Sequence, residues 1–181
     1  MSKVIVGIDP ASEGAAVVLC DNKITTVFLW KKCIRKKRKV YKVIYCNGKD
    51  KSEIVVRTSA HIGSYISSRI PVCNGIGVED VYMGRNISTT VFLAKFSAFV
   101  SAPLIIKCGI PPQYVKPNIW RKEVLNVKKR VKREEAKYIS TTKIPLICPS
   151  IKPFIKILGN YDHITDAVGI AICIYNRMKN S

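Results

Sequence analysis

At 181 residues the chain is long enough for one domain, residues 1–181, with a proper core, and 48% apolar composition excludes a disordered polypeptide. Its 31 Lys and Arg against 12 Asp and Glu leave a formal net charge of +19, which calls for a polyanionic partner, nucleic acid first and an anionic membrane surface second. No run of about 20 apolar residues is expected to span a membrane, no signal-peptide layout opens the chain, and the seven scattered cysteines include no Cys-x-x-Cys pair; the expectation is an intracellular, reducing compartment and no zinc site.

Residues 3–9, 14–20 and 24–31 read as three strands separated by turn chemistry at Ser12-Glu13-Gly14 and Asp21-Asn22-Lys23, an antiparallel meander. Residues 31–42 carry eight Lys or Arg and no acid, which predicts a basic hairpin or a disordered loop over about 31–50, ending near Asn47-Gly48. An amphipathic helix is expected over 53–69, a strand over 76–82, a helix over 88–101 and a strand over 104–108. Prolines 111, 112 and 117 make the next stretch a loop; helical pieces follow near 118–125 and 133–142, and the last helix covers about 161–178. Three antiparallel strands followed by helix–strand–helix–strand–helix is the ribonuclease H-like order: an α/β fold, a mixed five-stranded sheet with helices on both faces.

Acids are scarce here, and several stand in apolar sequence. Asp9 ends the first strand, Glu79 lies within the strand expected over 76–82, and Asp162 and Asp166 lie at the start of the last helix. Each alone reads as a turn or cap residue, Asp9 before Pro10 and Asp162 as a helix cap. Together they suggest buried carboxylates, which are costly unless paired or bound to metal. A divalent cation with hard oxygen ligands, Mg²⁺ with Mn²⁺ as substitute, working on a polyanion fits that set. On the helical wheel Asp162 and Asp166 lie about 40° apart and His163 and Asp166 about 60° apart, so either pair can face one metal.

Ile5-Val6-Gly7-Ile8-Asp9-Pro10 with Gly14, then Val78-Glu79-Asp80-Val81-Tyr82-Met83, then His163-Ile164-Thr165-Asp166-Ala167 resemble, in that order, the motifs of the RuvC family of Holliday junction resolvases. The basic, small chain and its Asp162-His163 pair look most like the poxvirus members. The resemblance implies a homodimer that nicks four-way (branched) DNA symmetrically with Mg²⁺, and a viral role in resolving genome concatemers in the host cytoplasm. It also implies that Asp9, Glu79 and Asp166 hold the metals, that the fourth ligand is either His163, at the family's position, or Asp162, an extra acid beside it, and that Lys116 in the proline-bounded loop matches the family's functional lysine. A ribonuclease H acting on RNA–DNA hybrids and a non-catalytic nucleic-acid packaging protein are the competing readings.

Two surfaces complete the expectation. The runs 31–42 and 116–133 supply candidate phosphate contacts at Lys36, Lys37, Arg38, Lys39, Arg121, Lys128, Lys129 and Arg130, and the interleaved Trp30, Tyr41, Tyr45 and Trp120 suggest base stacking. Helix 88–101 has one apolar stripe of Ile87, Val91, Ala94 and Ala98 and an opposite one of Phe92, Leu93, Phe96, Phe99 and Val100, so it is expected to be covered on both sides, one cover being a second subunit.

Overall fold

All six residues of β1 (Val4–Asp9) are buried, which an apolar strand achieves only with a neighbour on each edge and a layer on each face. The computed structural model, which describes residues 2–35, 38–80, 86–127, 131–159 and 161–180, provides all four. β2 (Gly14–Cys20) pairs antiparallel with β1, and β3 (Lys23–Arg35) antiparallel with β2. β4 (Arg38–Cys46) and β5 (Lys51–Val56) continue the antiparallel meander outward. On the other side of β1, β6 (Gly75–Glu79) and β7 (Gln113–Val115) pair in parallel. The order is β5-β4-β3-β2-β1-β6-β7, and its β3-β2-β1-β6-β7 part is the ribonuclease H-like arrangement expected from the element order.

Helices cover both faces. α1 (Ser59–Arg69) and α2 (Ile87–Cys108) close a core of Val6, Ile8, Phe28, Trp30, Ile62, Phe96, Val100 and Leu104. On the opposite face lie α3 (Pro117–Leu125), α4 (Arg133–Ile147), a 3-10 turn (Pro149–Ile151), α5 (Lys152–Leu158) and α6 (Asp162–Asn180), around Ile5, Val17, Leu29, Trp120, Ile164 and Ile170.

Several expectations change. Among the described residues the sheet has seven strands, not five: of the two alternatives for the basic run the hairpin holds, as β3–β4, and the start of the expected helix at 53 pairs with it as β5. The helix begins only after Thr58, whose side chain accepts from His61 N. Residues 104–108 are not a strand but the last turns of α2. The buried positions Phe96, Val100 and Leu104 recur every fourth residue through Pro103, and the helix runs on to a left-handed cap at Gly109 (φ 67°). The final parallel strand is instead Gln113–Val115, inside the segment its prolines marked as a loop; Pro111 and Pro112 precede it and Pro117 opens α3. At 22 residues α2 is also long and apolar enough, by length and composition, to cross a membrane, which the sequence reading did not anticipate. One of its faces packs inward through Phe96, Ser97, Val100, Ser101 and Leu104.

Candidate active site

β1 and β6 run in parallel with Ile8 opposite Val78, so the next residues, Asp9 and Glu79, emerge side by side at the same edge of the sheet. α6 must then come close enough to add its own groups, and two glycines allow it. Gly7 and Gly77 face each other in register on neighbouring strands. A Cβ on Gly7 would stand 2.2 Å from Ala167 O of α6, and one on Gly77 would stand 2.6 Å from Ile174 Cγ1. The helix therefore lies directly on strand backbone, and its first turns carry His163 and Asp166 over the acidic edge.

The contacts at this edge are specific. His163 Nδ1 lies 2.5 Å from Asp9 Oδ2. Trp120 Nε1 donates to Glu79 Oε1 at 3.3 Å, and Arg121 Nη2 donates to Asp166 Oδ2 at 3.1 Å. α3 is seated there by Gly169, whose missing side chain leaves room for the Trp120 ring, and by Glu123, which takes two hydrogen bonds from Arg177 at 2.8 and 3.0 Å. Asp162 turns to the side and pairs with Lys137 Nζ at 2.7 Å.

Burial decides the electrostatics. Removal from water pushes the Glu79 carboxyl well above its ordinary range, and the charges of Asp9 and Asp166 push it further than Trp120 and Arg121 pull it back. Burial likewise pushes Asp166 up to about 6, against the Arg121 guanidinium. For His163 burial works against the imidazolium, but the hydrogen bond and charge of Asp9, with Asp162 and Asp166, outweigh it and raise the ring's pKa. For Asp162 burial opposes ionisation, and Lys137 with His163 more than compensates, so its pKa is lowered. The edge thus holds three mutually repelling carboxyls, with the Arg121 guanidinium and the His163 ring set against them.

Among the described residues no three His, Cys, Asp or Glu side chains form a closed metal-holding group. The donor set nevertheless fits a hard divalent cation. Its carboxylate donors are oxygens, burial and then the neighbouring acids raise Glu79 and Asp166, and among the described residues Asp166 Oδ1 is buried with no hydrogen-bond partner.

A pH dependence follows. Asp166 has a folded pKa above the usual carboxylate value of about 3.9. Its contribution to stability is then full below about pH 4 and is lost as pH rises through about 6; the raised Glu79 and His163 act in the same direction, each through its own raised pKa. Cation binding requires the carboxyls ionised, so it gains over the same range. In EDTA the melting temperature should fall between about pH 5 and pH 7, and millimolar Mg²⁺ should raise it more at the higher pH. Asp166→Asn should flatten both trends; a metal-independent melting curve at every pH would remove the cation from the site.

Of the expected site residues, Asp9, Glu79, His163 and Asp166 are together. Lys116 is exposed at the same edge, one residue beyond Val115, the pairing partner of Glu79. Arg121, expected among the phosphate contacts, instead sits half-buried against Asp166 and over the Trp120 ring. Trp30 and Trp120 are fully buried and do not present stacking surfaces. Arg38 and Lys39 are exposed, whereas Lys36, Lys37, Lys128, Lys129 and Arg130 lie outside the described residues. Sequence reasoning missed the Trp120–Glu79 and Arg121–Asp166 pairs. Their signal was Gly169 on α6, a cavity for an aromatic from elsewhere in the chain.

The chain matches no protein-family model and no curated protein. Among solved structures it is similar to RuvC of Thermus thermophilus in complex with a Holliday junction substrate, at 16% identity over 97% of this chain and 96% of that one, with a TM-score of 0.45. A second Thermus thermophilus RuvC structure is similar at 19% identity, with the same coverage and score.

Proposed function

We propose that this chain is a divalent-cation-dependent endonuclease that nicks branched DNA, four-way junctions above all. The observation that carries this reading is the meeting of Asp9, Glu79 and Asp166 from β1, β6 and α6 at one sheet edge, on a protein with a formal charge of +19. The ordered motif resemblance to junction resolvases supports the choice of substrate. Asp9, Glu79 and Asp166 would hold Mg²⁺ or Mn²⁺. His163, which contacts Asp9 while Asp162 is engaged by Lys137, is the better fourth ligand. Bound there, the cations would supply an activated water and charge stabilisation of the leaving 3′ oxygen. The protein's own groups would do the rest: Lys116, exposed at the edge, would neutralise the scissile phosphate, and Arg121 anchors Asp166 from the side. The likeness of the motifs to poxvirus members extends the proposal to concatemer resolution at a cytoplasmic site of viral replication.

The test is cleavage of labelled four-way, RNA–DNA hybrid and linear substrates with Mg²⁺, Mn²⁺ or EDTA. Paired nicks in the four-way junction, dependent on the cation, are expected. Preference for the hybrid would make it a ribonuclease H, and binding without cleavage a packaging protein.

A symmetric dimer belongs to the same proposal, because a four-way junction offers two strands of like polarity and two-fold assembly is the commonest. Ile87, Val91, Ala94 and Ala98 of α2 are all exposed, and Phe92, Phe99 and Ile106 widen the apolar surface around them. The opposite stripe is split, with Phe96 and Val100 in the core. Val91→Glu should therefore give a folded monomer that no longer pairs its cuts, whereas Phe96→Glu should fail to fold. Wild type found monomeric by light scattering, with paired cleavage intact, would contradict the dimer.

A further inference from the structure

β3 is antiparallel to β2, which is antiparallel to β1, so β3 points the same way as β1. Asp9 pairs with Ala15, and Ala15 pairs with Leu29; Asp9, the last residue of β1, is thus level with Leu29. β3 continues six residues further, to Arg35, where Arg35 pairs with Arg38. At about 3.3 Å per residue the hairpin overhangs the acidic edge by about 20 Å, two strand spacings to one side. Its base is tied to the site: Lys31 Nζ hydrogen-bonds Tyr161 Oη at 2.7 Å and lies over that ring, immediately before Asp162.

The charge on this overhang is costly to the hairpin itself. Lys31 stands directly opposite Lys42 and Arg35 opposite Arg38, on one face of the ladder, and like charges in such pairs repel. Lys42 is relieved by Glu53 at 2.6 Å and Lys31 by Tyr161. Among the described residues nothing relieves the outer pair. Arg35, Arg38, Lys39 and Arg57 line one groove with Val40 and Val55, open to solvent and without an acid.

We infer that this groove is a second nucleic-acid site, in which the β3–β4 arm grips the phosphate backbone of a duplex arm of the substrate about 20 Å from the strand being cut. Three guanidinium groups suit phosphate oxygens, which they can hold through two parallel hydrogen bonds. Among the described residues the groove is lined by no aromatic ring on which an unpaired base could stack, so it favours duplex backbone over single strand. The spacing corresponds to about six base pairs of duplex at 3.4 Å each. A substrate must therefore extend that far from the cut to engage both places. The inference rests on the branched-DNA reading above, but it concerns binding and is measurable without cleavage.

The experiment compares wild type with an Arg35→Gln, Arg38→Gln, Arg57→Gln variant in EDTA, on four-way junctions with arms of about five and about fifteen base pairs, across a salt series. Wild type should bind the long-armed junction roughly tenfold or more tightly than the short-armed one. The variant should lose that advantage and match wild type on short arms, and its log–log salt slope on long arms should fall by about 2 to 3. Arg57→Gln alone, outside the hairpin, should lower the slope by about one. An equal loss on both arm lengths or an unchanged slope would overturn the arm's role as a duplex grip. Absence of cation-dependent nicking with these binding results intact would instead overturn the nuclease reading and leave the arm standing.

Discussion

Asp9→Asn, Glu79→Gln and Asp166→Asn should each lower the rate of junction nicking by roughly 10³-fold, with junction affinity measured in EDTA changed by less than about threefold. The separation follows from the proposed reading, in which affinity comes from exposed cations such as Arg38 and Lys39 while the three carboxyls at the sheet edge serve the cation. The amides keep the shape and remove the charge. In Asp9→Asn the partner of His163 is weakened as well, so the imidazole loses the main support of its raised pKa. Asp162→Asn should be mild by comparison, within about threefold, since it breaks a half-exposed pair with Lys137. His163→Ala should be the more damaging of the two. Near-normal turnover of any of the three carboxylate variants would remove that residue from the reaction. Equal damage from Asp162→Asn and His163→Ala would make Asp162 a working part of the site.

Gly7→Ala should destabilise the protein by about 3 kcal/mol or more and silence it without touching a charged group. The new methyl would meet Ala167 O at 2.2 Å, and Ala171 N and Cβ within 2.8 Å; two of these are helix backbone and cannot rotate away. Either α6 lifts from β1, carrying His163 and Asp166 off the edge, or the fold is lost. At 2–4 °C per kcal/mol for a chain of this size, the melting temperature should drop by roughly 10 °C. Gly109→Ala is the contrasting case: open space surrounds it, and only its left-handed φ of 67° is at stake, so a loss of about 1 kcal/mol is expected. Similar melting curves for Gly7→Ala and wild type would show that α6 does not depend on the bare strand for its seat.

The parts of the fold legible from sequence are those whose burial is written in short periods. β1, β2 and β6 are continuous apolar runs between turn residues; Asp9 was found because it ends such a run, and Glu79 because it stands in the one expected over 76–82, which ends at Glu79 as β6. α6 was found from its length and its acidic start. What stayed hidden depends on partners distant in the chain. Ile105-Ile106 read as strand because both are β-branched, yet the spacing of Phe96, Val100 and Leu104 governs there. Gln113–Val115 read as loop because of its prolines, although a three-residue strand needs only the space between them. The positions of Trp120 and Arg121 required knowing that α3 would dock on Gly169, which nothing local to residues 117–125 states.

The contact between Asp9 and His163 joins residues 154 apart. Closing so long a loop costs entropy that is recovered only when α6 settles on β1, which ranks this edge among the later parts of the protein to form. During synthesis, at about 5–20 residues per second, some 8 to 30 s separate the appearance of Asp9 from that of Asp166. Through that interval the growing chain already carries the cations of the β3–β4 hairpin, and it can cling to the RNA around it. On the nuclease reading it could not yet cut, because Asp166, the last of the three carboxylates, has not been translated. Late closure therefore separates in time the appearance of the basic surface from the completion of the acidic edge.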